Sequence, residues 1–296
     1  MKIQEPSFEI WEQLPGEIGI YKQIERAGRV CYKSEEKTTE ESAKPFVDRM
    51  VQHEHFAMLE HGTVYLTCSH GELSLYLTNK FSHVNTIDGK DYITTNLRVL
   101  AENKSLADLK YLSDYQEGKH ELRITVHFTT QIAITREYNR HRANSMAEQS
   151  TRYCNYTKNK FGNEITINLP TWVAAQPSFD KEKEMTEDRF MALCHDVANH
   201  QDQEWSKLDA WYFANYAAEF AYMKLIEAGC KPQEARVILP LDTNTELVHT
   251  AFLSDWKHFF DLRAIGTTGA PHPDAKILAL PLYEEFQKRY KSCFKI

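Results

Sequence analysis

A cluster of cations lies near the middle of the chain, between residues 140 and 153. Within these fourteen residues are Arg140, Arg142 and Arg152, together with His141 and a single acidic residue, Glu148. Arginine presents a rigid, permanently charged fork of donors that matches the planes of phosphate and carboxylate groups. Like charges at this density are unfavourable without an anion to neutralise them. The segment therefore predicts an anion site, and a phosphate ester is the favoured ligand.

Other interpretations of this segment remain open. One is a solvated basic stretch that pairs with some of the 42 acidic residues, which is the usual arrangement for a generic arginine pair. Another is a nucleic-acid-binding module with Tyr153 and Tyr156 as stacking partners, although the net charge of −7 argues against it. Ser150 is either a phosphate ligand or a nucleophile. We favour the ligand, because no Asp/His arrangement in the sequence activates the hydroxyl.

The same residues resemble the signature of the flavin-dependent thymidylate synthases. That signature has Arg-His-Arg, seven residues and then Ser, which Arg140–Arg142 and Ser150 satisfy. Its extended form also matches, at Glu148, Arg152 and Tyr153. A lone Arg-His-Arg would be weak evidence, whereas the full string is a strong signal.

Further segments resemble this family in the expected order. They are residues 27–32 (AGRVCY), 55–61 (HFAMLEH), 234–240 (EARVILP) and 258–263 (HFFDLR). The resemblance covers most of the chain and leaves about fifty residues, around 71–121, outside the shared pattern. It implies an α+β fold, with an antiparallel or mixed sheet flanked by helices, in one domain of 1–296 with an insertion at about 71–121.

The resemblance also implies a set of flavin contacts. The principal residues for FAD are Ala57, Arg140, His141, Arg142, Glu148 and His258. Weaker candidates are His55, Glu60, Phe252, Ser254 and His272. The chain departs from the family at Phe252 and Ser254, where Asn and Arg are frequent, and at Ala57, where Thr is more usual. Side-chain contacts to FAD are therefore lost or replaced at these positions.

The nucleotide site is implied in the same way. The residues that match the family's dUMP ligands are Glu137, Arg140, Glu148, Gln149, Ser150, Thr151, Arg152, Arg236 and Arg263. The implied reaction methylates C5 of dUMP, using methylenetetrahydrofolate as carbon donor and tightly bound FAD, reduced by NADPH, as hydride source. Arg263 is the implied catalytic residue, as an electrostatic stabiliser of the pyrimidine. No Pro-Cys dipeptide occurs, so a cysteine nucleophile is not expected.

A third hypothesis is a flavoprotein reductase that has lost nucleotide methylation. Such a reductase would not need a nucleotide phosphate site. Arg236, Arg263 and the segment 150–152 are all present, so this hypothesis is disfavoured.

Composition narrows the class of protein. The chain is 42% hydrophobic and 26% charged, as in ordinary globular proteins, and its acidic balance does not favour nucleic acid or membrane partners. Its six cysteines form no CxxC pair, which indicates free thiols in a reducing compartment. With no signal peptide and no apolar run of membrane-spanning length, we expect a cytoplasmic, soluble protein.

Histidines and aromatic residues elsewhere invite other interpretations. His53, His55 and His61 lack a cysteine partner or an HExxH pattern, and His195 and His200 are not on one helical face, so no metal site is expected. The aromatic run 205–222 is more simply a buried helix face or a subunit interface. Family resemblance implies a homotetramer with shared active sites.

The pattern of apolar residues predicts the elements that carry these residues. Helices are predicted at 17–30, 39–52, 105–115, across 182–229, at 254–262 and at 273–290. Strands are predicted at 64–68 and 122–130, and residues 135–142 have helix-forming character. No G-x-G-x-x-G loop and no regular βαβ alternation occur, so FAD is not expected on a Rossmann domain.

Overall fold

A computed structural model describes residues 1–181, 183, 185–200 and 204–291. Cys293 and parts of the predicted helical region (182, 184 and 201–203) lie outside the described residues. The chain divides into two compact units. Unit 1 comprises Met1–Pro6, Thr129–Arg136 and Ser150–Thr245, and unit 2 comprises Ser7–Phe128, Glu137–Gln149 and Glu246–Ile296.

The strands form three sheets. In chain order they are β1 (Lys2–Gln4), β2 (Ser7–Trp11), β3 (Thr63–Ser69), β4 (His83–Ile87), β5 (Lys90–Asn96), β6 (Arg123–Gln131), β7 (Ser145–Glu148), β8 (Thr166–Asn168) and β9 (Asn244–Phe252). Strand β1 pairs in parallel with β8, whereas β5 pairs antiparallel with both β3 and β4. A four-stranded sheet has the order β2-β6-β9-β7, with β7 antiparallel to β9.

Helices make up most of the remaining regular structure. They are α1 (Gly16–Tyr32), α2 (Ala43–Gln52), α3 (Leu75–Thr78), α4 (Leu97–Glu102), α5 (Ile132–Tyr138), α6 (Thr171–Ala174), α7 (Glu187–Asn199), α8 (Lys207–Glu227), α9 (Pro232–Ala235), α10 (Leu253–Phe260) and α11 (Pro273–Arg289). The mixed α+β class predicted from the sequence is confirmed. Among the described residues, no helix is long and apolar enough to cross a membrane.

The core of unit 2 joins helix α1 to the sheet that contains β3 and β5. Ile20 and Ile24 recur at helical spacing on one face of α1, and they pack with Leu66 of β3 and Ile93 of β5, all almost fully buried. Burying each such side chain stabilises the fold by about 1.5–3 kcal/mol. This core fixes the strands of unit 2 on which part of the site rests.

The core of unit 1 is built around helix α8. Ser206 and Asp209 form a reciprocal capping box at its N-terminus, and the helix ends before Gly229, which takes a positive φ as predicted for a stop. Trp211 and Tyr222 are buried with Ile167 of β8. The predicted aromatic helix face is therefore buried over part of its length.

Several predicted elements differ from the observed ones, for local reasons. Helix α2 begins at Ala43 and not at Thr39, because the Ser42 hydroxyl accepts the Thr39 amide and closes a turn there. The predicted helix 105–115 is a 3₁₀ segment at Leu106–Tyr111. It ends early because Ser113 donates its amide to the carbonyl of Tyr65 in β3.

The segment 71–121 is more ordered than the sequence suggested. In place of polar connections it contains β4 and β5, which complete the antiparallel sheet with β3. A buried carboxylate, Asp91, anchors the hairpin by accepting bonds from the Gly71 amide (2.8 Å) and the Thr86 hydroxyl (2.7 Å). Strand β4 is short and β5 is buried on both faces, so neither has the alternating pattern that identifies a strand from the sequence.

Candidate active site

A tight turn in unit 2 carries the Arg-His-Arg sequence. Helix α5 ends at Tyr138, and the predicted continuation of the helix to residue 142 is wrong. The His141 amide donates to the carbonyl of Tyr138 (3.1 Å), and the Asn144 amide donates to the carbonyl of His141 (3.1 Å). Tyr138 itself is fully buried, and its hydroxyl donates to the carbonyl of Ala275 in α11 (2.9 Å). The turn is thus attached to a rigid helix end.

Arg263 is clamped from three directions. Its Nη1 donates to Oε2 of Glu137 (2.6 Å), its Nη2 donates to the carbonyl oxygen of Glu137 (2.7 Å), and its Nε donates to Nε2 of His141 (3.3 Å). Only about an eighth of the side chain is exposed. Bonds of this charge-assisted, forked kind fix the orientation of the guanidinium.

The backbone that carries Arg263 is unusual. Helix α10 ends at Phe260 and is followed by one π-helical turn, Asp261–Ile265, which Gly266 terminates with a φ of +83°. Such turns are rare and often occur at functional sites. The wider turn places the guanidinium of Arg263 against Glu137 and His141.

His141 is an uncharged acceptor in this arrangement. Burial, and then the proximity of Arg263 and His258, lower its pKa to about 4. At neutral pH its Nε2 therefore accepts the Arg263 bond, and the ring proton resides on Nδ1. The ring also contacts His258 edge-to-face, with centroids 5.6 Å apart.

The neighbouring arginines are unlike Arg263. Arg140 and Arg142 are exposed, and within the described part of the chain neither lies within ion-pair distance of a carboxylate. Glu148, at the end of β7, instead accepts a bond from Asn139 (3.2 Å). Gln149 is buried, and its amide donates to the carbonyl of Glu246 in β9 (2.8 Å). Two cations on this turn thus remain available to an anionic ligand.

A second group of predicted residues lies in unit 1. Nη1 of Arg236 donates to the hydroxyl of Thr151 (3.2 Å), and the Arg152 amide donates to the hydroxyl of Ser150 (3.3 Å). Arg236 begins a short 3₁₀ turn, Arg236–Ile238, and both arginines are exposed. Neither pairs with a carboxylate among the residues that the structure describes. The arrangement offers hydroxyl, amide and guanidinium donors, the set that a phosphate group requires.

Ala57, a principal flavin candidate, and two of the weaker ones lie in and beside one 3₁₀ segment of unit 2. His55 and Ala57 are exposed at the start of the 3₁₀ segment Phe56–His61, and Glu60 in that segment forms an ion pair with Arg98. His61 in the same segment is fully buried, and its Nδ1 lies 2.8 Å from the hydroxyl of Thr250.

The remaining candidates flank helices α10 and α11. Phe252 is buried and packs on His83, with ring centroids 4.1 Å apart. Ser254 is exposed, and its amide donates to Glu121 (3.1 Å). His272 caps α11 by accepting the Asp274 amide at Nδ1 (3.2 Å). The Phe252 ring is therefore part of the core, and Ser254 and His272 are bonded within the protein.

Two polar contacts of the site were not predicted from the sequence. Asn139 bonds to Glu148, and Nδ2 of Asn144 donates to Nε2 of the buried His249 (2.7 Å). Asn139 and Asn144 flank the Arg-His-Arg sequence. This nearness in the sequence is the signal by which they could have been identified as part of the site. Over the described residues, no group of three or more His, Cys, Asp or Glu side chains is placed to hold a metal ion.

Together, these observations describe an α+β protein with exposed cationic donors and a clamped arginine of which only about an eighth is exposed. The sequence model of the family described as "Thymidylate synthase complementing protein" matches residues 113–290. That match covers more than half of the chain, and the chain belongs to this family.

Individual proteins show the same similarity. A flavin-dependent thymidylate synthase of Thermosipho melanesiensis is 26% identical over 197 residues, which cover 64% of this chain and 78% of that protein. A "Probable flavin-dependent thymidylate synthase" of Paramecium bursaria Chlorella virus 1 is 32% identical over 100 residues, 34% of this chain and 44% of that one. Among solved structures, a UMP/dUMP methylase of Streptomyces cacaoi has a TM-score of 0.42 and 14% identity, covering 97% and 93% of the two chains.

Proposed function

We propose that this protein is a flavin-dependent thymidylate synthase, which methylates dUMP at C5 to dTMP. Its carbon donor is methylenetetrahydrofolate, and its hydride source is FAD reduced by NADPH. Family membership supports the reaction class, and the clamp on Arg263 is the single observation that carries the proposed chemistry. We also propose that the chain has the overall fold of this enzyme class and that four copies assemble into a homotetramer with shared active sites.

The phosphate of dUMP is assigned to the unit 1 group. Ser150, Thr151, Arg152 and Arg236 supply hydroxyl and guanidinium donors. Charge-assisted bonds of this kind each contribute about 1.5–3 kcal/mol. Ser150 bonds to the Arg152 amide and has no histidine or carboxylate partner among the described residues, which supports a phosphate ligand over a nucleophile.

Arg263 is assigned to the pyrimidine. A guanidinium has five N–H groups, and three of them are occupied by Glu137 and His141. The remaining N–H groups can bond to a uracil carbonyl and stabilise the negative charge that makes C5 nucleophilic. A fixed cation needs no reorganisation when that charge develops, which is the source of electrostatic catalysis. Glu137 acts by holding the guanidinium in one orientation.

Three of the five cysteines that the structure describes are shielded from solvent. Cys31, Cys68 and Cys154 are buried, and burial raises the pKa of the Cys68 thiol. A thiol that stays protonated is a weak nucleophile. Activation by the charge of Arg263 therefore replaces covalent activation in this proposal.

The exposed side of the Arg-His-Arg turn fits a flavin nucleotide. Arg140 and Arg142 are cations without a carboxylate partner in the described chain, which suits the diphosphate or a reduced, anionic ring. His141 and His258 present neighbouring rings beside them. Ala57 and Glu148, and less directly His55, Glu60, Phe252, Ser254 and His272, complete the proposed FAD contacts. When bound, the flavin supplies the reducing hydride.

The variant Arg263→Ala tests this assignment. We expect dTMP formation from dUMP, methylenetetrahydrofolate and NADPH to fall below detection, while FAD remains bound as judged by its visible absorbance. Arg189→Ala is the matched control, because Arg189 is also held in a forked pair, with Asp209, but lies outside the candidate site. Unchanged turnover in Arg263→Ala would remove the proposed role.

A further inference from the structure

One hydrogen bond ties the Arg-His-Arg turn to the interior of unit 2. The backbone of Asn144 closes the turn on the carbonyl of His141, while its side chain reaches the ring of His249 at 2.7 Å. His249 belongs to β9, is fully buried and packs against Trp256 with ring centroids 4.2 Å apart. A surface turn is thus attached to a ring that cannot move without disturbing the core.

The hydrogen bond from Asn144 leaves the other ring nitrogen of His249 without a partner among the described residues. Nε2 of His249 can accept from Asn144 only in the neutral ring, whose proton then resides on Nδ1. That Nδ1 is buried and has no hydrogen-bond partner among the described residues. Burial, and then the proximity of His141 and His61, lower the pKa of His249 well below its ordinary value, so the ring stays neutral. An apolar residue at this position would avoid the unpaired group but would release Asn144.

We propose that Asn144 and His249 form a positioning pair for the flavin site, holding the turn that carries Arg140 and Arg142. The inference rests on the proposed function, because it concerns the site assigned to FAD. Arg140 and Arg142 are exposed and have no carboxylate partner in the described chain, so the turn's backbone largely sets where their charges stand. Neither Asn144 nor His249 touches the flavin in this account; they act through the turn.

The pair makes a specific prediction for equilibrium binding of FAD. Asn144→Ala and His249→Leu each remove the bond, and each should weaken FAD binding, followed by fluorescence quenching, about tenfold. The double variant should be no weaker than the worse single variant, because both substitutions remove the same interaction. His249→Gln, whose amide oxygen can replace Nε2 as acceptor, should restore most of the affinity.

Other readouts separate positioning from general damage to the fold. The same turn carries His141, which bonds to Arg263, so the defect is read from FAD binding and not from turnover: both variants should show a raised FAD requirement. Binding of dUMP, whose phosphate is assigned to donors in unit 1, should be unchanged within about twofold. Thermal melts establish that each variant is folded.

These measurements distinguish a failure of the proposed function from a failure of the positioning pair. If the unaltered protein binds no FAD, the proposed function itself fails. If it binds FAD and the single variants bind equally well, the positioning pair is refuted. Additive losses in the double variant, or parallel losses of FAD and dUMP binding that His249→Gln does not rescue, would also overturn it.

Discussion

The arginines among the candidate site residues are of two kinds, buried and exposed. Arg263 is about seven-eighths buried and its guanidinium is fixed by Glu137 and His141, so its charge has one orientation. Arg236 and Arg152 are exposed; Arg236 bonds to the hydroxyl of Thr151, and the Arg152 guanidinium lies 5.4 Å from the ring centroid of Tyr153. A fixed cation suits the stabilisation of charge on a reacting ring, whereas flexible cations suit the capture of a phosphate.

Removal of a phosphate ligand should therefore affect binding and not chemistry. Arg236→Ala is expected to raise the KM for dUMP about tenfold. This loss is at the lower end of the range for a charge-assisted hydrogen bond, because solvent and salt screen the charges at an exposed site. Affinity for deoxyuridine, which lacks the phosphate, should not change. Isothermal titration with both ligands measures the difference, with Arg189→Ala as control. Equal losses for the two ligands would contradict a phosphate contact.

At the residue scale, the sequence predicted the composition of the site better than its contacts. Arg140–Arg142, Ser150 and Arg152 were identified from their density and spacing alone. The clamp of Glu137 on Arg263 joins residues 126 positions apart, which no local pattern reveals. The bond from Asn144 to His249 could not be predicted from the sequence either, because 105 positions separate the two residues.

The element that places Arg263 is a single π-helical turn closed by Gly266. A Cβ at Gly266 would lie 2.7 Å from Pro271 and 2.8 Å from the carbonyl oxygen of Gly269, in addition to requiring a φ of +83°. The extra residue of a π turn shifts every later side chain around the helix axis. This turn therefore controls where the guanidinium of Arg263 points.

Gly266→Ala should show this dependence. It combines a left-handed backbone with a steric clash, so we expect a loss of about 2–4 kcal/mol in the free energy of unfolding, together with a large loss of activity. Gly118→Ala is the matched control, because Gly118 has a φ of +75° but open space around its Cβ, and should cost about 1 kcal/mol. Urea denaturation compares the two. Equal effects would exclude a role for the crowded turn.

Strand β9 and its neighbours bury three neutral histidines. Burial lowers the pKa of His141 to about 4 and of His61 to about 3, and it lowers the pKa of His249 well below its ordinary value. In the unfolded chain these rings titrate near pH 6.5. Between pH 6.5 and about 4 the unfolded chain therefore binds more protons than the folded chain, and stability must fall as the pH falls.

The size of the effect follows from linkage. Each ring that is neutral when folded and charged when unfolded removes about 1.4 kcal/mol of stability per pH unit, and this contribution is fully present only above pH 6.5. Urea unfolding at pH 7.5, 6 and 5 measures it. In His61→Gln, the free energy of unfolding should change less steeply with pH, because one ring that takes up a proton on unfolding has been removed. A free energy of unfolding that does not change between pH 7 and 5 would contradict the buried neutral rings.

At the element scale, the sequence predicted elements with a clear apolar period, and it missed short strands as well as the longer β5 and β9, which are buried on both faces. Helix α1 and strand β6 were found because one face repeats over several turns or residue pairs. Strands β1, β4, β7 and β8 have three to five residues each, too few for a period to emerge. The end of helix α5 at Tyr138 was missed because no Gly or Pro marks it; tertiary contacts of the following turn end it.

At the scale of the whole molecule, the donors assigned to dUMP fall into two groups, one in each compact unit. The unit 1 group contains Arg236, and the unit 2 group contains Arg263. The proposed homotetramer shares its active sites between copies, so a site would draw on more than one chain. Light scattering should then give a mass of four 34.5 kDa chains.

Complementation tests the shared site directly. At a dUMP concentration well below the KM, pure Arg236→Ala should keep about a tenth of the normal rate, as its tenfold higher KM requires, and pure Arg263→Ala should be inactive. If each site takes the two arginines from different copies, mixing the proteins under conditions of subunit exchange creates some sites with both arginines and restores part of the activity. A mixture of each variant with Arg189→Ala is the control for exchange. No recovery after proven exchange would place both arginines of a site in one chain.

The central claim is that a flavin and a nucleotide site cooperate in this protein. The most direct test is the visible spectrum of the purified protein, followed anaerobically as NADPH is added with and without dUMP. A bound-flavin spectrum that bleaches with NADPH, at a rate that changes when dUMP is present, is the predicted result. A colourless protein that takes up no added FAD would contradict the claim and leave the arginine groups as anion sites serving another purpose.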